Sequence, residues 1–195
     1  VYDYLQRTGK ILPARFLPVR DVTDRVSKPS VVVCGFGRVG QIVCQMLDSQ
    51  SVPYVAIDLD VSAVMMGREQ GFNVVYGDAT SADVLREFGV KPRCVSGVVV
   101  ALDNATTARR AILTIKSIAP RVKVFARARN LADSQMLMSD GVDVAMPETI
   151  ESSFILGYGI LSHIGVSDKQ IDNLLCEMRA DNYSALSTVI SDKQD

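Results

Sequence analysis

The chain has 195 residues, of which 48% are hydrophobic and 22% are charged, and its formal net charge is −1. This composition is typical of a globular protein with one sizeable core, and it lacks the basic field that would favour a nucleic-acid partner. No apolar run reaches the ~20 residues that a membrane-spanning helix needs. The four cysteines, Cys34, Cys44, Cys94 and Cys176, form no C-x-x-C pair. We expect free thiols and no metal site, with a disulfide or redox switch as the alternative.

Residues 1–29 are predicted to be a linker or arm that ties the chain to a preceding domain. Three prolines interrupt this stretch, and most of its charged residues are basic. Such a composition is more typical of a connecting segment than of a packed core. We therefore expect the core to begin near residue 30.

The sequence Val-Val-Val-Cys-Gly-Phe-Gly-Arg-Val-Gly occupies residues 31–40. The three valines predict a buried parallel strand, and the apolar spacing after the last glycine predicts a helix that runs to about residue 49. Gly35, Gly37 and Gly40 thus form a G-x-G-x-x-G motif at a strand-to-helix turn, where nucleotide-binding fingerprints occur. In that motif the first glycine allows the tight turn, the second lets a phosphate approach, and the third lets helix and strand pack closely. A purely structural glycine turn is the alternative.

An acidic residue supports the nucleotide-binding interpretation. Asp58 ends a second apolar run and follows Gly40 at about the 20-residue spacing at which an acidic side chain binds the ribose. A carboxylate in this position also disfavours a ribose that carries a 2′-phosphate.

The remaining core alternates between strands and helices. Strands are predicted at 31–34, 53–58, 72–76, 95–102, 122–128 and 142–146, and further helices at about 61–70, 81–88, 104–118 and 131–139. This alternation predicts an α/β, Rossmann-like fold with a doubly wound, six-stranded parallel sheet. We expect residues 30–147 to form this nucleotide-binding core.

Candidate ligand-binding residues follow the predicted strand ends, because open α/β sheets bind ligands beyond the carboxyl ends of their strands. The candidates are Gly35, Phe36, Gly37, Arg38, Val39, Gly40, Asp58, Leu59, Asp60, Asp78, Ala79, Leu102, Asp103 and Arg127.

Four charged candidates have specific expected roles. Arg38 and Arg127 have the chemistry to bind phosphate through two parallel hydrogen bonds. Asp78 is expected either to accept an amino proton from a base or to cap the next helix. Asp60 fits a helix cap better than a second ribose ligand.

No catalytic residue is predicted. Only about 50 residues follow the core, too few for a substrate domain, and a dehydrogenase also needs an acid–base residue. The single histidine, His163, lies in a strongly apolar segment. We therefore expect a binding protein and no enzyme, with a fragment of an NAD-dependent oxidoreductase as the alternative.

Residues 148–182 are predicted to form a crossover helix and a helical dimerisation segment. The stretch from 148 to 164 is apolar on all sides, so it needs two packing partners. One partner is the sheet, and the other is most simply the same helix of a second subunit, around Phe154, Tyr158 and Leu161. Burial within one small domain is the alternative. Ser167 is expected to cap the next helix, and 183–195 to be a flexible tail.

Four motifs together resemble a known regulatory module: Gly35–Gly40, Ile57–Asp60, Tyr76–Thr80 and Ala126–Asn130. In this order they are similar to the RCK/KTN domain (regulator of K⁺ conductance), the nucleotide-sensing domain of potassium channels and transporters. The likeness is greatest to the C-terminal domain of glutathione-gated-type potassium efflux antiporters. Within these, the chain looks most like the plant plastid antiporters that exchange potassium for protons across the thylakoid membrane.

The resemblance implies a homodimer built through the crossover helix, with an adenine nucleotide (ATP, ADP or AMP) in each cleft and NAD(P)H as the second possibility. It also implies a membrane transport domain in the same polypeptide, with this domain facing the chloroplast stroma. The nucleotide would bind two dimer conformations unequally and so bias the ion pathway.

Overall fold

The computed structural model describes residues 29–191. The predicted linker therefore lies almost wholly outside the described residues, as does the end of the predicted tail.

Six strands and seven helices make up the described part of the chain. The strands are β1 (Val31–Cys34), β2 (Tyr54–Asp58), β3 (Val74–Tyr76), β4 (Gly97–Val100), β5 (Lys123–Ala128) and β6 (Val144–Pro147). The helices are α1 (Arg38–Ser49), α2 (Val61–Glu69), α3 (Ala82–Glu87), α4 (Ala105–Ile118), α5 (Leu131–Ser139), α6 (Glu148–His163) and α7 (Asp168–Ser191).

The six strands form one parallel sheet in the order β3-β2-β1-β4-β5-β6. This is the doubly wound Rossmann order, so the predicted fold class is confirmed. The strand order reverses between β1 and β4, and a crevice forms beyond the carboxyl ends of the strands at such a reversal. The glycine motif follows β1 directly and therefore lies at this crevice.

Helices cover both faces of the sheet at its central strands, as the near-continuous apolar character of these strands requires, but one face at β5 and β6 stays exposed. On one face, Val64 of α2 and Cys44 of α1 pack with Val33 and Ala56 of the central strands. On the other face, residues of α3, α4 and α5 pack against Val98 and Val124 in the larger core cluster. The two layers leave the carboxyl edge of the sheet at the surface, where Gly37 and Leu59 are exposed.

Three strands, β3, β4 and β6, begin two residues later than predicted, because backbone pairing and not the apolar run sets the end of a strand. The edge strand β3 pairs with β2 only from Val74 to Tyr76, and β4 pairs with β1 only from Gly97 to Val100. Before β6, the N–H of Val142 donates to the carbonyl of Leu137, which closes the end of α5 instead of extending the sheet.

The helix α6 is not buried on all sides within the chain. Ile150 and Phe154 pack against Ile171 and Leu175 of α7. The opposite side leaves four large aliphatic side chains between 58% and 76% exposed: Ile155, Leu156, Ile160 and Ile164. The expectation that an interface centres on Phe154, Tyr158 and Leu161 was therefore wrong in its choice of residues, because all three pack in the chain's own core cluster, whereas the homodimer itself stays a prediction.

The helix α7 extends further than predicted. Its backbone continues to Ser191, so most of the stretch expected to be a flexible tail is helical. Tyr183 accounts for part of this difference, since its hydroxyl donates to Glu151 of α6 at 2.7 Å and its ring packs beside Phe154. These contacts dock α7 onto α6 beyond the predicted end of the helical segment.

A charged cluster joins the last two strands to α4. The two carboxylate oxygens of Asp143 accept from Lys123 at 2.7 Å and from Lys116 at 3.1 Å, and the N–H of Val124 also donates to it at 2.9 Å. Burial by itself raises the pKa of Asp143, but the hydrogen bonds and charges of these partners outweigh it and lower the pKa to about 2. The folded protein therefore favours the charged form of Asp143.

We predict that Asp143→Asn destabilises the protein by about 1 to 2 kcal/mol near neutral pH, because it removes a charge-assisted hydrogen-bond cluster. Since the pKa of Asp143 is lowered on folding, its contribution is complete above about pH 4 and is lost as the pH falls toward 2. Urea unfolding of wild type and variant at pH 7 and pH 3 measures this change. Asp83→Asn, at a side chain that is 96% exposed, is the matched control and should have little effect at either pH. An Asp143→Asn cost that is the same at both pH values would contradict the prediction.

Candidate functional site

Two of the three motif glycines are required by the fold itself. Gly35 has φ +101°, and a Cβ there would lie 3.0 Å from the carbonyl oxygen of Ala101. A Cβ on Gly40 would overlap the carbonyl oxygen of Gly35. The helix α1 can therefore begin directly above the end of β1 only if both positions lack a side chain.

Gly37 is different, because nothing in the fold requires a glycine there. Its φ is −73°, which any residue adopts. A Cβ at this position would meet a single neighbour, Oδ2 of Asp103 at 3.9 Å, and the residue is exposed. The missing side chain leaves open space on the outer side of the loop, where a ligand would approach.

The N-terminus of α1 faces the same space. Gly37 is the N-cap residue and provides no side-chain cap, while the N–H groups of the first turn have no partner within a helix. These N–H groups and the helix dipole favour an anion. Arg38, the first residue of α1, is exposed beside them.

Asp58 connects the end of β2 to the glycine loop. Its Oδ2 accepts from the N–H of Phe36 at 2.5 Å, and its Oδ1 accepts from the N–H of Asp60 at 2.8 Å. Each carboxylate oxygen has more than one acceptor site, so both retain capacity for a further hydrogen bond. The carboxylate is half-buried and fixed at the edge of the sheet.

Three other predicted residues lie beside the end of β2, and they differ in whether the backbone or the side chain faces the edge of the sheet. The Phe36 side chain is buried against Phe72, so only its backbone faces the edge. Leu59 is exposed. Asp60 caps α2 as expected, since its side chain accepts from the N–H of Ser62 at 2.8 Å.

Asp78 stabilises the turn that follows β3. Its Oδ1 accepts from both the N–H and the hydroxyl of Thr80, at 2.8 and 2.7 Å. The N-cap of α3 is Ser81, three residues later, so the alternative in which Asp78 caps this helix was wrong. Ala79 is buried and exposes no side chain at the edge.

Arg127, the penultimate residue of β5, is held between two carboxylates. Its Nη1 donates to Oδ1 of Asp103, which follows β4, and its Nε donates to Oε2 of Glu148 at 2.7 Å. Partial burial by itself lowers the pKa of Arg127, but hydrogen bonds and charge from Glu148 and Asp103 outweigh it and raise the pKa above its ordinary value. The guanidinium is thus a fixed positive charge at the carboxyl edge.

A shallow pocket lies beside this ion cluster, between the ends of β4 and β5. Leu102, Asp103 and Arg127 line it together with Arg129 and Met136 of the following segments. Arg129 is paired with Asp133 at 3.0 Å.

Glu148 is a member of this ion cluster that was not among the predicted site residues. It is the first residue of α6 and directly follows the carboxyl end of β6. The strand-end rule that found the other candidates applies equally to Glu148. Glu148 was left out because it begins α6, a helix that the sequence analysis assigned only to dimerisation.

Neither metal ligands nor membrane spans are found in the part of the chain that the structure describes. Between residues 29 and 191, no three His, Cys, Asp or Glu side chains are grouped as metal ligands would be. None of the helices α1 to α7 has the length and apolar character that a bilayer crossing requires.

Comparison with known proteins places the chain in a family. Residues 31–148 match the sequence profile of the TrkA-N domain. The chain belongs to the TrkA-N domain family. The TrkA-N match covers all six strands and ends at the first residue of α6. It confirms the resemblance to RCK domains that the four motifs indicated.

A chloroplast antiporter is among the relatives that the chain matches. Over 195 aligned residues, the chain is 33% identical to "K(+) efflux antiporter 1, chloroplastic" of Arabidopsis thaliana. The alignment covers 96% of this chain but only 16% of the antiporter. The chain thus corresponds to a small part of the length of the curated relative that it matches.

Solved structures share the fold. The "Shewanella denitrificans Kef CTD in AMP bound form" is 25% identical, with a TM-score of 0.66 and coverage of 82% of this chain and 98% of that one. The "GsuK channel bound to NAD" is 21% identical, with a TM-score of 0.59 and coverage of 80% of this chain and 26% of that one.

Proposed function

We propose that the chain is the nucleotide-sensing regulatory domain of a potassium/proton antiporter and binds an adenine nucleotide at the carboxyl edge of its sheet. The observation that carries the proposal is the open space at Gly37. Gly35 and Gly40 are explained by packing, whereas Gly37 has ordinary backbone angles and a vacant side-chain position. A glycine in that situation, at a helix N-terminus, has its function in the close approach of a phosphate.

The proposed binding pose matches the phosphate and the ribose of the nucleotide to groups at the carboxyl edge of the sheet. The phosphate lies at Gly37 and the first turn of α1, beside Arg38, and the ribose hydroxyls donate to Asp58. Asp58 already accepts from the N–H of Phe36, so its carboxylate is oriented before any ligand binds. Fixing a binding group in advance reduces the entropy lost on binding. The remaining predicted residues contact the ligand through the backbone or line the cleft.

AMP, ADP or ATP is the proposed ligand class, with NAD(H) as the second candidate. A mononucleotide and the adenosine half of a dinucleotide need the same ribose and phosphate positions. The Kef relative from Shewanella denitrificans was solved with AMP, and GsuK with NAD. Asp58 disfavours NADPH, because its carboxylate would meet a 2′-phosphate of the same charge.

The proposed regulation is a linkage between nucleotide and transport. Residues 1–29 connect the domain to the transport domain of the same polypeptide, and the domain faces the stroma. The relatives that match are antiporters and not enzymes, so we propose a sensor without turnover. A shift from mostly closed to mostly open requires about 5 kcal/mol of differential nucleotide binding between two conformations.

We predict that Gly37→Ala weakens AMP at least tenfold while leaving adenosine nearly unchanged, because the added methyl group occupies the approach of the phosphate and not of the ribose. A tenfold loss corresponds to about 1.4 kcal/mol of binding free energy. Isothermal titration of wild type and variant with both ligands measures the two effects.

Stability controls separate this effect from misfolding. Gly37→Ala should cost less than about 1 kcal/mol of unfolding free energy, the usual scale of a changed N-cap. Gly40→Ala should cost at least about 2 kcal/mol, because its methyl group overlaps a backbone carbonyl. Equal AMP affinity of wild type and Gly37→Ala would contradict the proposed phosphate position.

We further propose a homodimer, on the basis of two uncovered apolar surfaces. The outer face of α6 exposes Ile155, Leu156 and Ile160, and Ile164 at its C-cap is exposed as well. A face of the sheet at β5 and β6 exposes Phe125, Val144 and Met146. Exposed apolar patches of this kind mark interaction surfaces, and a two-fold dimer buries the same patch on both copies. The glycines 157 and 159 have no neighbour within 4 Å of a Cβ position, so another chain can approach α6 closely there.

We predict that Leu156→Asp converts the dimer into a monomer without unfolding it, because Leu156 is 76% exposed within one chain. Leu113→Asp makes the same change at an exposed leucine of α4, which packs on the face of the sheet opposite to Phe125, and should remain dimeric. Sedimentation equilibrium of the wild type and the two variants at ~1 to 100 μM distinguishes these states. A wild-type chain that is monomeric throughout this range would contradict the proposed dimer.

A further inference from the structure

Arg127 is the meeting point of three segments. Its side chain is only 18% exposed, whereas the Asp103 side chain is 85% exposed and that of Glu148 is 49% exposed. Glu148 accepts from Nε and Nη2, on one edge of the guanidinium, while Asp103 accepts from Nη1. Two carboxylates thus share one positive charge, and the more exposed of them, Asp103, is the easier to displace.

Asp103 also extends toward the glycine loop. Its Oδ1 is the atom paired with Arg127, and its Oδ2 lies 3.9 Å from the position that a Cβ on Gly37 would occupy. The Asp103 carboxylate therefore bridges the space between Arg127 and the open side of Gly37. A phosphate that approaches Gly37 and the first turn of α1 must meet this carboxylate.

We propose that Asp103 competes with the nucleotide phosphate for Arg127, and that phosphate replaces the Asp103 carboxylate on Nη1 when the nucleotide binds. The inference rests on the proposed function, because it concerns the same site. The Asp103 carboxylate and the phosphate repel each other when both lie beside Arg127, and only one of them can accept from the Nη1 edge of the guanidinium. The phosphate has the advantage that the N–H groups of α1 bind it at the same time.

The structure explains why Asp103 moves and Arg127 stays. Glu148 holds the other edge of the guanidinium at 2.7 Å from Nε, so Arg127 remains at the carboxyl edge during the exchange. Asp103 lies in the exposed loop between β4 and α4 and can rotate into solvent at little cost, because exposed ion pairs stabilise weakly. The carboxylate of Asp103 thereby lowers the affinity for phosphate-bearing ligands and leaves the affinity for an uncharged nucleoside unchanged.

The test compares AMP and adenosine binding in wild type and Asp103→Asn by isothermal titration at low salt. Asparagine has nearly the same shape but no charge, so AMP should bind about three- to tenfold more tightly, while adenosine should be unchanged. The gain should shrink in 0.5 M salt, because an exposed charge is screened. A merely structural role of Asp103 would not give this dependence on phosphate and salt.

Glu69→Gln is the matched control, since it removes one negative charge at the exposed C-terminal end of α2, away from the glycine loop. It should leave both affinities unchanged. Weaker or unchanged AMP binding by Asp103→Asn, with AMP bound normally by wild type, would overturn the competition and leave the proposed function standing. Failure of the wild type to bind AMP or any other adenine nucleotide would overturn the proposed function itself.

Discussion

The close contact between Gly40 and the carbonyl of Gly35 is the constraint on which the site depends. Because neither residue has a side chain, α1 begins directly above the end of β1. This contact fixes the N-terminus of α1 over the point where the strand order reverses. The first-turn N–H groups, Gly37 and the Asp58 carboxylate then share one open crevice. A methyl group at Gly40 would displace the helix and separate these groups.

Ion pairs connect this crevice to the helices α6 and α7. Arg127 joins the ends of β4 and β5 to the first turn of α6 through Asp103 and Glu148. One turn later, Glu151 of α6 pairs with Arg179 of α7 at 2.7 Å, and the guanidinium of Arg179 lies 5.3 Å from the centre of the Phe154 ring. The first two turns of α6 are therefore attached both to the carboxyl edge of the sheet and to α7. Arg127 and Glu148 thus connect this edge to the helix for which we propose contact with a second copy.

Local pattern predicted the fold well, because a parallel sheet with covering helices repeats strand and helix periodicities along the chain. Strand ends were less accurate, since the partners of β3, β4 and β6 decide them and apolar runs continue beyond the paired residues. The orientation of α6 was missed for a similar reason. A helix that is apolar on all sides does not reveal whether Phe154 or Leu156 faces the chain's own core.

The placement of the candidate residues on one edge of the sheet was predicted from the sequence, but the contacts among them were not. The strand-end rule located Asp58, Asp103 and Arg127 on one edge, whereas the pairing of Arg127 with Glu148 joins residues 21 positions apart and has no local pattern. Similarly, Phe36 lies within the motif, but its side chain is buried beside Phe72, which only the packing of α2 against the sheet determines.

The central claim is that a nucleotide binds at the glycine loop, and hydrogen–deuterium exchange with and without saturating AMP tests it most directly. The predicted result is slower exchange of the backbone N–H groups of residues 36–41 and 58–60. The segment 119–123, at the opposite edge of the sheet, should be unaffected. Unchanged exchange in the loop, together with protection elsewhere, would contradict the claim and locate the ligand at another surface.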